Sequence, residues 1–374
     1  MPQPNNEPIL GFAPGSQERA DLQAEMDRQM GEVIEIPCII NGKEVFTGTT
    51  TTQVIPHNHG HVLANVHLAG RAEMEAACEA AVNAQQAWID LGLEGRCAIF
   101  ERCADLLAGD WRMRVNAATM LNQSKNAFQA EIDAACELID FFNFNCQYAE
   151  DIHNNQPLIS PEGVKNSLEY RPLEGFVFAI TPFNFTSIAG NLPCAPALMG
   201  NVAIWKPASS AVLPCYYLME MLKEAGLPDG VINFLPGSGS KVGDPVLTNP
   251  NLSGVHFTGS TQTFQHIWKT IGKNIDHYKT YPRIVGETGG KDFCLAHESV
   301  NIDELATAMI RGAFEFQGQK CSAMSRAYIP TNIWGKLKAT YLSELESVKV
   351  GNPRDFTNFM NAVIDKNALS LIHI

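Results

Sequence analysis

The chain has 374 residues and a formal net charge of -13. That length is enough for two domains with sizeable cores, and the acidic balance excludes nucleic acid and anionic membranes as expected partners, because they need clustered lysine and arginine. We therefore expect a small-molecule partner. The ten cysteines show no Cys-x-x-Cys spacing, which favours reduced thiols over a disulfide framework or a zinc site.

The first residues, MPQPNNEPILGF, resemble neither a secretory signal nor an arginine-rich transit peptide. The expected location is therefore the cytoplasm, or the mitochondrial matrix if a eukaryotic presequence is missing from the sequence. No apolar run approaches the roughly 18 residues that a membrane span needs.

Helices are predicted over residues 72–88, 96–107 and 131–142, where apolar residues recur at helical spacing. Between the N-terminus and these helices, His57, His59 and His61 alternate beside a proline and a glycine. Such a pattern could line a strand face with metal ligands, but an edge strand and a turn are the more common meaning. We expect no metal site.

From residue 175 onward, short β-rich runs alternate with helical segments. This alternation predicts βαβ units and a parallel sheet, and hence an α/β fold. The runs are GFVFAIT, NVAIWK, VINFLP, GVHFTG and DFCLAH.

Polar motifs follow three of these predicted strands. Asn184 lies in TPFNFT, where its amide could donate to a developing oxyanion or cap a helix. Lys206 leaves the sheet at the carboxyl end of a strand, where nucleotides bind in open α/β folds, although an exposed lysine is the alternative. Gly259 and Ser260 precede a helix predicted to begin near Thr261, whose N-terminus favours an anion.

Two further motifs supply candidates for chemistry. Glu287 lies among the glycines of GETGGK and is a plausible general base, with a solvated turn glutamate as the alternative. Cys321 lies in the polar segment FEFQGQKCSAMSR and is a candidate nucleophile, with a structural thiol as the alternative. A nucleophile, a base and an oxyanion donor in one α/β pattern together favour a catalytic site.

These motifs resemble the aldehyde dehydrogenase superfamily. The resemblance rests on TPFNFT, WKPASS, FTGS, GETGGK and GQKCS, and it extends over about residues 6–365. Within the superfamily, QAEIDAACELIDFFNFN, NEPILGFAPGSQER, IPHNHGHV and QKCSAMSR resemble the Δ1-pyrroline-5-carboxylate dehydrogenase branch.

The resemblance implies a particular domain organisation. It predicts an N-terminal arm over 1–34, a Rossmann-type dinucleotide-binding domain over 35–285 and an incomplete α/β catalytic domain over 286–368. A β-flap for oligomerisation is expected to start near 158–171, and the full-length form is expected to be a homo-oligomer. Family members continue past residue 365 with a cofactor-binding glutamate and a substrate loop. Residues 369–374, LSLIHI, are expected to be a non-native tail, because those letters are what a common transposase adaptor encodes in one reading frame.

The resemblance also implies an activity, namely oxidation of L-glutamate γ-semialdehyde to L-glutamate with NAD in proline degradation. Cys321 would form a thiohemiacetal and then a thioester, Asn184 would hold the oxyanion and Glu287 would activate water. Ser209 stands where a glutamate often selects NAD over NADP. Alternatives are an enzyme for another semialdehyde and a catalytically inactive nucleotide-binding fragment.

The family motifs assign further residues by position. Those expected at the cofactor are Thr181, Pro182, Phe183, Lys206, Pro207, Ser209, Gly259 and Ser260. Those expected at the substrate are Ser322, Phe185 and Glu131.

Overall fold

The structure is a computed structural model that describes residues 3–371. Its helices are α1 Gln17–Met30, α2 Arg71–Asp90, α3 Gly92–Ala108, α4 Arg112–Gln123, α5 Ala127–Ala130, α6 Glu137–Asn154, α7 Thr186–Leu198, α8 Val212–Glu224, α9 Asp244–Leu247, α10 Thr261–Lys273, α11 Ile302–Phe314, α12 Thr331–Ser347 and α13 Lys366–Leu371. Within the described part of the chain, every helix is too short or too polar to cross a bilayer.

Twelve strands are found among the described residues and form three sheets. They are β1 Ile34–Ile36, β2 Cys38–Ile40, β3 Lys43–Val45, β4 Thr50–Ile55, β5 Asn58–His67, β6 Phe176–Ile180, β7 Val202–Lys206, β8 Ile232–Phe234, β9 Leu252–Thr258, β10 Arg283–Glu287, β11 Phe293–Leu295 and β12 Arg326–Tyr328.

The main sheet has seven strands in the order β10-β9-β6-β7-β8-β2-β3. Strands β10 to β8 in this order are parallel, and β2 and β3 add an antiparallel edge. Strands β6 to β9 are almost completely buried, because helices cover both faces of a parallel sheet. The predicted α/β fold with a parallel sheet is confirmed.

The histidine-rich segment belongs to a second sheet, of order β1-β5-β4. His57 lies in the turn between β4 and β5, and His59 and His61 lie in β5. Strand β5 is the middle strand of this sheet, but only its residues 64–66 pair with β1. The predicted turn is therefore present, and the histidines lie where β5 pairs with β4 alone.

The third predicted helix, 131–142, does not form as one α-helix. Residues Glu131–Cys136 form a π-helical turn, and α6 begins at Glu137. Such turns are rare and are frequent at functional sites. Here the wider turn keeps both Glu131 and Asp133 buried, although they are two residues apart.

Residues 155–175 contain no strand in the described structure and lie largely on the surface. Leu158 is fully exposed and Ile159 is 81% exposed. The predicted β-flap is therefore not formed as paired strands within this chain, because no neighbouring strand offers this segment a partner. Its part in oligomerisation stays a prediction.

Residues after β10 build a smaller layer of their own. Strands β11 and β12 pair in parallel, and α11 packs on α12. A small apolar cluster around Leu305, Ala306, Met309 and Leu337 lies separate from the main core. The domain boundaries stay a prediction, and part of the predicted tail 369–374 lies outside the described residues.

The ten cysteines are all free thiols, as the sequence predicts. Eight of them are buried, and only Cys294 and Cys321 are partly exposed. Of these two, Cys321 alone lines a large cavity.

Candidate active site

A cavity of about 870 Å³ lies at the carboxyl ends of the parallel strands. This is where ligands bind in open α/β sheets. Eight of the residues predicted from the sequence line it, namely Thr181, Pro182, Phe183, Asn184, Lys206, Gly259, Ser260 and Cys321.

The strand register explains how distant motifs meet. Ile180 at the end of β6 pairs with Lys206 on one side and Phe257 on the other. Thr258 in turn pairs with Glu287 at the end of β10. Because parallel strands in register end together, the motifs that follow them form one row at the edge of the sheet.

Lys206 is buried in the wall of this cavity, with 8% of its surface exposed. Its ammonium donates to the carbonyl of Pro207 at 3.3 Å, and within residues 3–371 no carboxylate lies at ion-pairing distance from it. Burial lowers the pKa of Lys206 to about 8. A buried lysine with no counter-charge that borders a cavity is suited to ligand oxygen atoms.

The beginning of α10 forms a second part of the wall. Ser260 caps this helix by accepting from the N–H of Thr263 at 3.2 Å, so the helix begins at Thr261 as predicted. A Cβ at Gly259 would lie 2.8 Å from the Phe257 ring, which is why a residue without a side chain stands at this position. The N–H groups and dipole of the first turn favour an anion here.

The loop before Cys321 has an unusual backbone. Phe316, Gln317 and Gly318 are consecutive residues with φ of 49°, 56° and 69°. Left-handed conformations of the two residues that are not glycine cost on the order of 1–3 kcal/mol each. Gln317 stabilises this turn by donating to the carbonyl of Ala362 at 2.8 Å and accepting from the N–H of Asn361 at 3.0 Å.

Cys321 itself is partly exposed and lies against the glycines of the GETGGK motif. A Cβ at Gly290 would come within 1.6 Å of the Cys321 carbonyl oxygen. Only glycine permits this approach. The two motifs that sequence reasoning singled out separately are therefore in direct contact.

Asn184 connects the strand ends to the cysteine loop. Its Nδ2 donates to the carbonyl of Gln319 at 2.9 Å, which leaves its second N–H for another acceptor. Its Oδ1 is buried and has no partner among the described residues. Buried polar atoms without partners are rare and mark sites that a ligand or water completes.

Glu287 is the last residue of β10, and its side chain is exposed. It is not among the residues that line the cavity, although Thr288, Gly289 and Gly290 are. Burial lowers the pKa of the nearby His256 imidazole, although the Leu192 carbonyl and the Glu287 carboxylate act to raise it. The Glu287 backbone therefore leads directly into the residues that line the cavity, whereas its side chain is not among them.

The predicted substrate and remaining cofactor residues are placed differently. The cavity lining does not include Pro207, Ser209, Ser322, Phe185 or Glu131. Ser322 is exposed, Phe185 is 8% exposed, and the Ser209 carbonyl accepts from Gln53 at 2.9 Å.

The place of Glu131 at the substrate stays a prediction, and the structure shows other contacts for its carboxylate. Its side chain is completely buried and forms an ion pair with Arg112. Its oxygens also accept from Asn116 Nδ2 at 2.7 Å and from the N–H of Leu10 at 2.9 Å. Because these contacts include the N-terminal segment, the carboxylate anchors the N-terminal arm to the fold.

A buried charged cluster beside the cysteine loop was missed by sequence reasoning. Asp133 accepts from Lys125 at 2.6 Å and lies 3.0 Å from the Lys320 ammonium. Burial lowers the pKa of Lys125 to about 8, although Asp133 acts to raise it. The Lys125 ammonium also lies 4.3 Å from the centre of the Phe185 ring.

Only part of this cluster carried a signal in the sequence. Lys320 lines the cavity and directly precedes Cys321 in GQKCS, so a positive charge beside the nucleophile could have been predicted. Lys125 and Asp133 are eight residues apart, which is typical of a solvated helix face.

The aldehyde dehydrogenase family model matches residues 46–373. Among curated proteins, the chain is 47% identical over 370 residues to the Δ1-pyrroline-5-carboxylate dehydrogenase of Agaricus bisporus, covering 98% of this chain and 68% of that protein. It is 45% identical over 368 residues to the human mitochondrial protein of that name, covering 98% and 65%. The chain thus spans about two thirds of the length of these relatives.

A solved structure is also similar. The Δ-pyrroline-5-carboxylate dehydrogenase of Mycobacterium tuberculosis, crystallised with NAD, superposes with a TM-score of 0.97 at 50% identity, covering 99% of this chain and 69% of that one. The family predicted from the motifs is thereby confirmed. The chain belongs to the aldehyde dehydrogenase family, within its Δ1-pyrroline-5-carboxylate dehydrogenase branch.

Proposed function

We propose that the protein oxidises L-glutamate γ-semialdehyde, the open form of pyrroline-5-carboxylate, to L-glutamate with NAD. The observation that carries the proposal is that Cys321, Asn184, Lys206 and the beginning of α10 line one cavity. The names of the related enzymes support the substrate, and the NAD in the mycobacterial structure supports the cofactor.

The cavity fits a dinucleotide. Lys206 is a buried cation without a carboxylate partner in the described chain and is suited to ribose hydroxyls. Ser260 and the first turn of α10 are suited to the pyrophosphate. When bound, NAD supplies the hydride acceptor, and its nicotinamide must lie beside Cys321, because the hydride leaves the carbon that the sulfur has attacked.

Cys321 provides the nucleophile as its thiolate. The sulfur adds to the aldehyde carbon, and the carbonyl oxygen becomes an alkoxide. The free N–H of Asn184 and the backbone N–H of Cys321 donate to this oxygen, so that its charge is stabilised as it develops. Loss of hydride then converts the thiohemiacetal into a thioester.

Glu287 acts on the thioester by removing a proton from water, which attacks the carbonyl carbon and releases the thiolate and the carboxylic acid. For this step its carboxylate must turn towards Cys321. The Glu287 side chain is exposed, and Gly289, where a Cβ would meet no atom within 4 Å, gives the following segment freedom to move.

The charge distribution supports a substrate with an anionic group. Lys320 lines the cavity beside Cys321, and its ammonium is held by Asp133 and Glu315 at 3.0 and 3.5 Å. A substrate carboxylate can replace solvent around this ammonium. Ser322 and Phe185 are proposed to complete the substrate pocket, as the family motif implies.

The test is a steady-state assay of the purified protein with NAD and an aldehyde panel. We expect the highest kcat/KM with pyrroline-5-carboxylate, and lower values with succinic semialdehyde and with an uncharged aliphatic aldehyde. A higher kcat/KM for either competitor would overturn the proposed substrate. Failure of all aldehydes to yield NADH would favour the alternative that the chain is an inactive nucleotide-binding fragment.

Oligomer formation through residues 158–171 and a location in the cytoplasm or the mitochondrial matrix belong to the same proposal. The exposed Leu158 and Ile159 support the first part. The mitochondrial names of eukaryotic relatives support a matrix location for a eukaryotic source. Sedimentation of the purified protein tests the oligomeric state.

A further inference from the structure

A charged pair lines the same cavity at a distance from the cysteine loop. His266 Nε2 lies 2.8 Å from Asp244 Oδ1, and both side chains are about half exposed, at 55% and 47%. A carboxylate can only accept, so the imidazole donates through Nε2–H. Neither residue was singled out by its sequence motif, and neither has a role in the mechanism above.

The topology places this pair at the nucleoside end of the cavity. Cys321 contacts Gly290, which follows the edge strand β10. Asp244 follows β8, which lies on the other side of β6 and β7 in the sheet. Lys206 at the end of β7 lies between them, so a dinucleotide with its nicotinamide at Cys321 has its other base beyond Lys206.

The surroundings of the pair suit a flat heterocycle. Asp244 begins α9 and His266 lies in the second turn of α10, so the pair bridges two helices. The apolar side chains of Leu247 and Ile267 line the cavity from the same two helices and are almost completely buried. Apolar walls with one fixed polar group are typical of a small-molecule site.

Asp244 retains an unused acceptor. Its Oδ1 receives the imidazole hydrogen bond, whereas none of the side chains that the structure describes donates to its Oδ2. Because His266 holds one oxygen, the direction of the other is restricted. A fixed carboxylate oxygen selects a donor and repels a carbonyl.

We propose that Asp244 reads the adenine of NAD by accepting a hydrogen bond from its exocyclic 6-amino group, with His266 as the positioning residue. The inference rests on the proposed NAD-dependent function and makes it more specific. It predicts that the protein distinguishes dinucleotides whose bases differ only in the group at position 6. This discrimination adds to the anion contact at Ser260 and the ribose contact at Lys206.

The experiment compares equilibrium binding of two dinucleotides by isothermal titration calorimetry, without aldehyde. One is NAD, and the other is nicotinamide hypoxanthine dinucleotide, in which an oxo group replaces the 6-amino group. Since hydrogen bonds to charged groups contribute about 1.5–3 kcal/mol, the unmodified protein should bind NAD at least roughly ten-fold more tightly.

Variants separate the specific contact from a general charge effect. Asp244→Asn should bring the ratio of the two dissociation constants close to one, because an amide can either accept from the amine or donate to the oxo group. His266→Ala should reduce the ratio by a smaller factor. Asp276→Asn is the matched control, because it removes the same charge from an exposed position outside the cavity lining and should leave the ratio unchanged.

The outcomes distinguish this inference from the function on which it rests. Equal binding of both dinucleotides by the unmodified protein, or an unchanged ratio in Asp244→Asn, would overturn the inference and leave NAD dependence intact. Failure of the unmodified protein to bind either dinucleotide would overturn both.

Discussion

The two halves of the candidate site are fixed by different means. Asn184, Lys206 and Ser260 follow strands β6, β7 and β9, which are buried and joined by a continuous ladder of backbone hydrogen bonds. Cys321 lies in a loop whose left-handed turn at 316–318 depends on side-chain contacts with residues 361–364. The first half depends on backbone pairing between buried strands, and the second depends on side-chain contacts with a segment more than 40 positions further along the chain.

The comparison teaches where the protein is sensitive. Changes of side chain at the strand ends should alter ligand binding or catalysis while the fold persists, because the backbone ladder does not need them. Changes in the contacts around the cysteine loop should alter both the position of Cys321 and the stability of the protein. Substitutions in each half of the site test this contrast.

Cys321→Ser removes the nucleophile and should lower kcat by roughly 10³-fold or more, because an alcohol is a much weaker nucleophile than a thiolate. The measurement is NADH formation with pyrroline-5-carboxylate. The control is the dissociation constant of NAD, which should stay unchanged because Lys206 and Ser260 are intact. Undiminished turnover would refute the role of the sulfur.

Asn184→Ala removes an oxyanion donor and should lower kcat by roughly 10²–10³-fold. The same substitution removes the hydrogen bond to Gln319, so it also connects the two halves of the site. Thermal unfolding separates the two effects. A large loss of stability with unchanged kcat would show that Asn184 only joins the loop to the strand end.

Lys206→Met tests the buried cation through the pH dependence of stability. The pKa of Lys206 is about 8 in the folded protein and 10.5 when exposed, so between these values the unfolded chain binds the extra proton. Stability of the unmodified protein relative to Lys206→Met should therefore rise by about 3 kcal/mol from pH 8 to pH 10.5.

This pH effect is measured by urea unfolding of both proteins across the window. Below pH 8 the lysine is protonated in both the folded and the unfolded protein. The difference in the free energy of unfolding between the two proteins should therefore be constant there. A difference that falls between pH 8 and pH 10.5 would mean that an unrecognised anion stabilises the charged ammonium.

Gln317→Leu should lower the free energy of unfolding by about 2 kcal/mol, because it leaves the Asn361 N–H and the Ala362 carbonyl without their partner at a strained turn. The matched control is Gln86→Leu, since Gln86 lies on the exposed face of α2 and, among the described residues, its side chain bonds only to Asp90. Its effect should stay within about 0.5 kcal/mol. Equal effects of the two substitutions would contradict the proposed dependence of the loop on residues 361–364.

Much of the first half could be predicted from the sequence. The apolar runs of β6, β7 and β9 and the start of α10 at Thr261 follow from local patterning, because buried strands and helix caps have local chemical requirements. Parallel pairing then brings the motifs behind the strands to one edge. The positions of Asn184, Lys206 and Ser260 at this edge could therefore be predicted from their places after the strands.

The second half could be predicted only in outline. The motif GQKCS identified Cys321, but nothing near it indicates that Gln317 and Gln319 bond to residues 361–364. The contacts of the Glu131 carboxylate could not be predicted either, for a similar reason. Its helical pattern predicts one continuous stripe, whereas a π-helical turn and the buried Arg112 redirect its carboxylate into the fold.

The sequence by itself determined the α/β class, the strands and the residue types able to perform chemistry on an aldehyde, because these follow from local periodicity and from motifs read along the chain. Only the tertiary arrangement shows that Asp133 holds Lys125 and Lys320, and that Asp244 accepts from His266. These contacts depend on burial and on residues that are distant along the chain, and the spacing of residues in the sequence predicts neither.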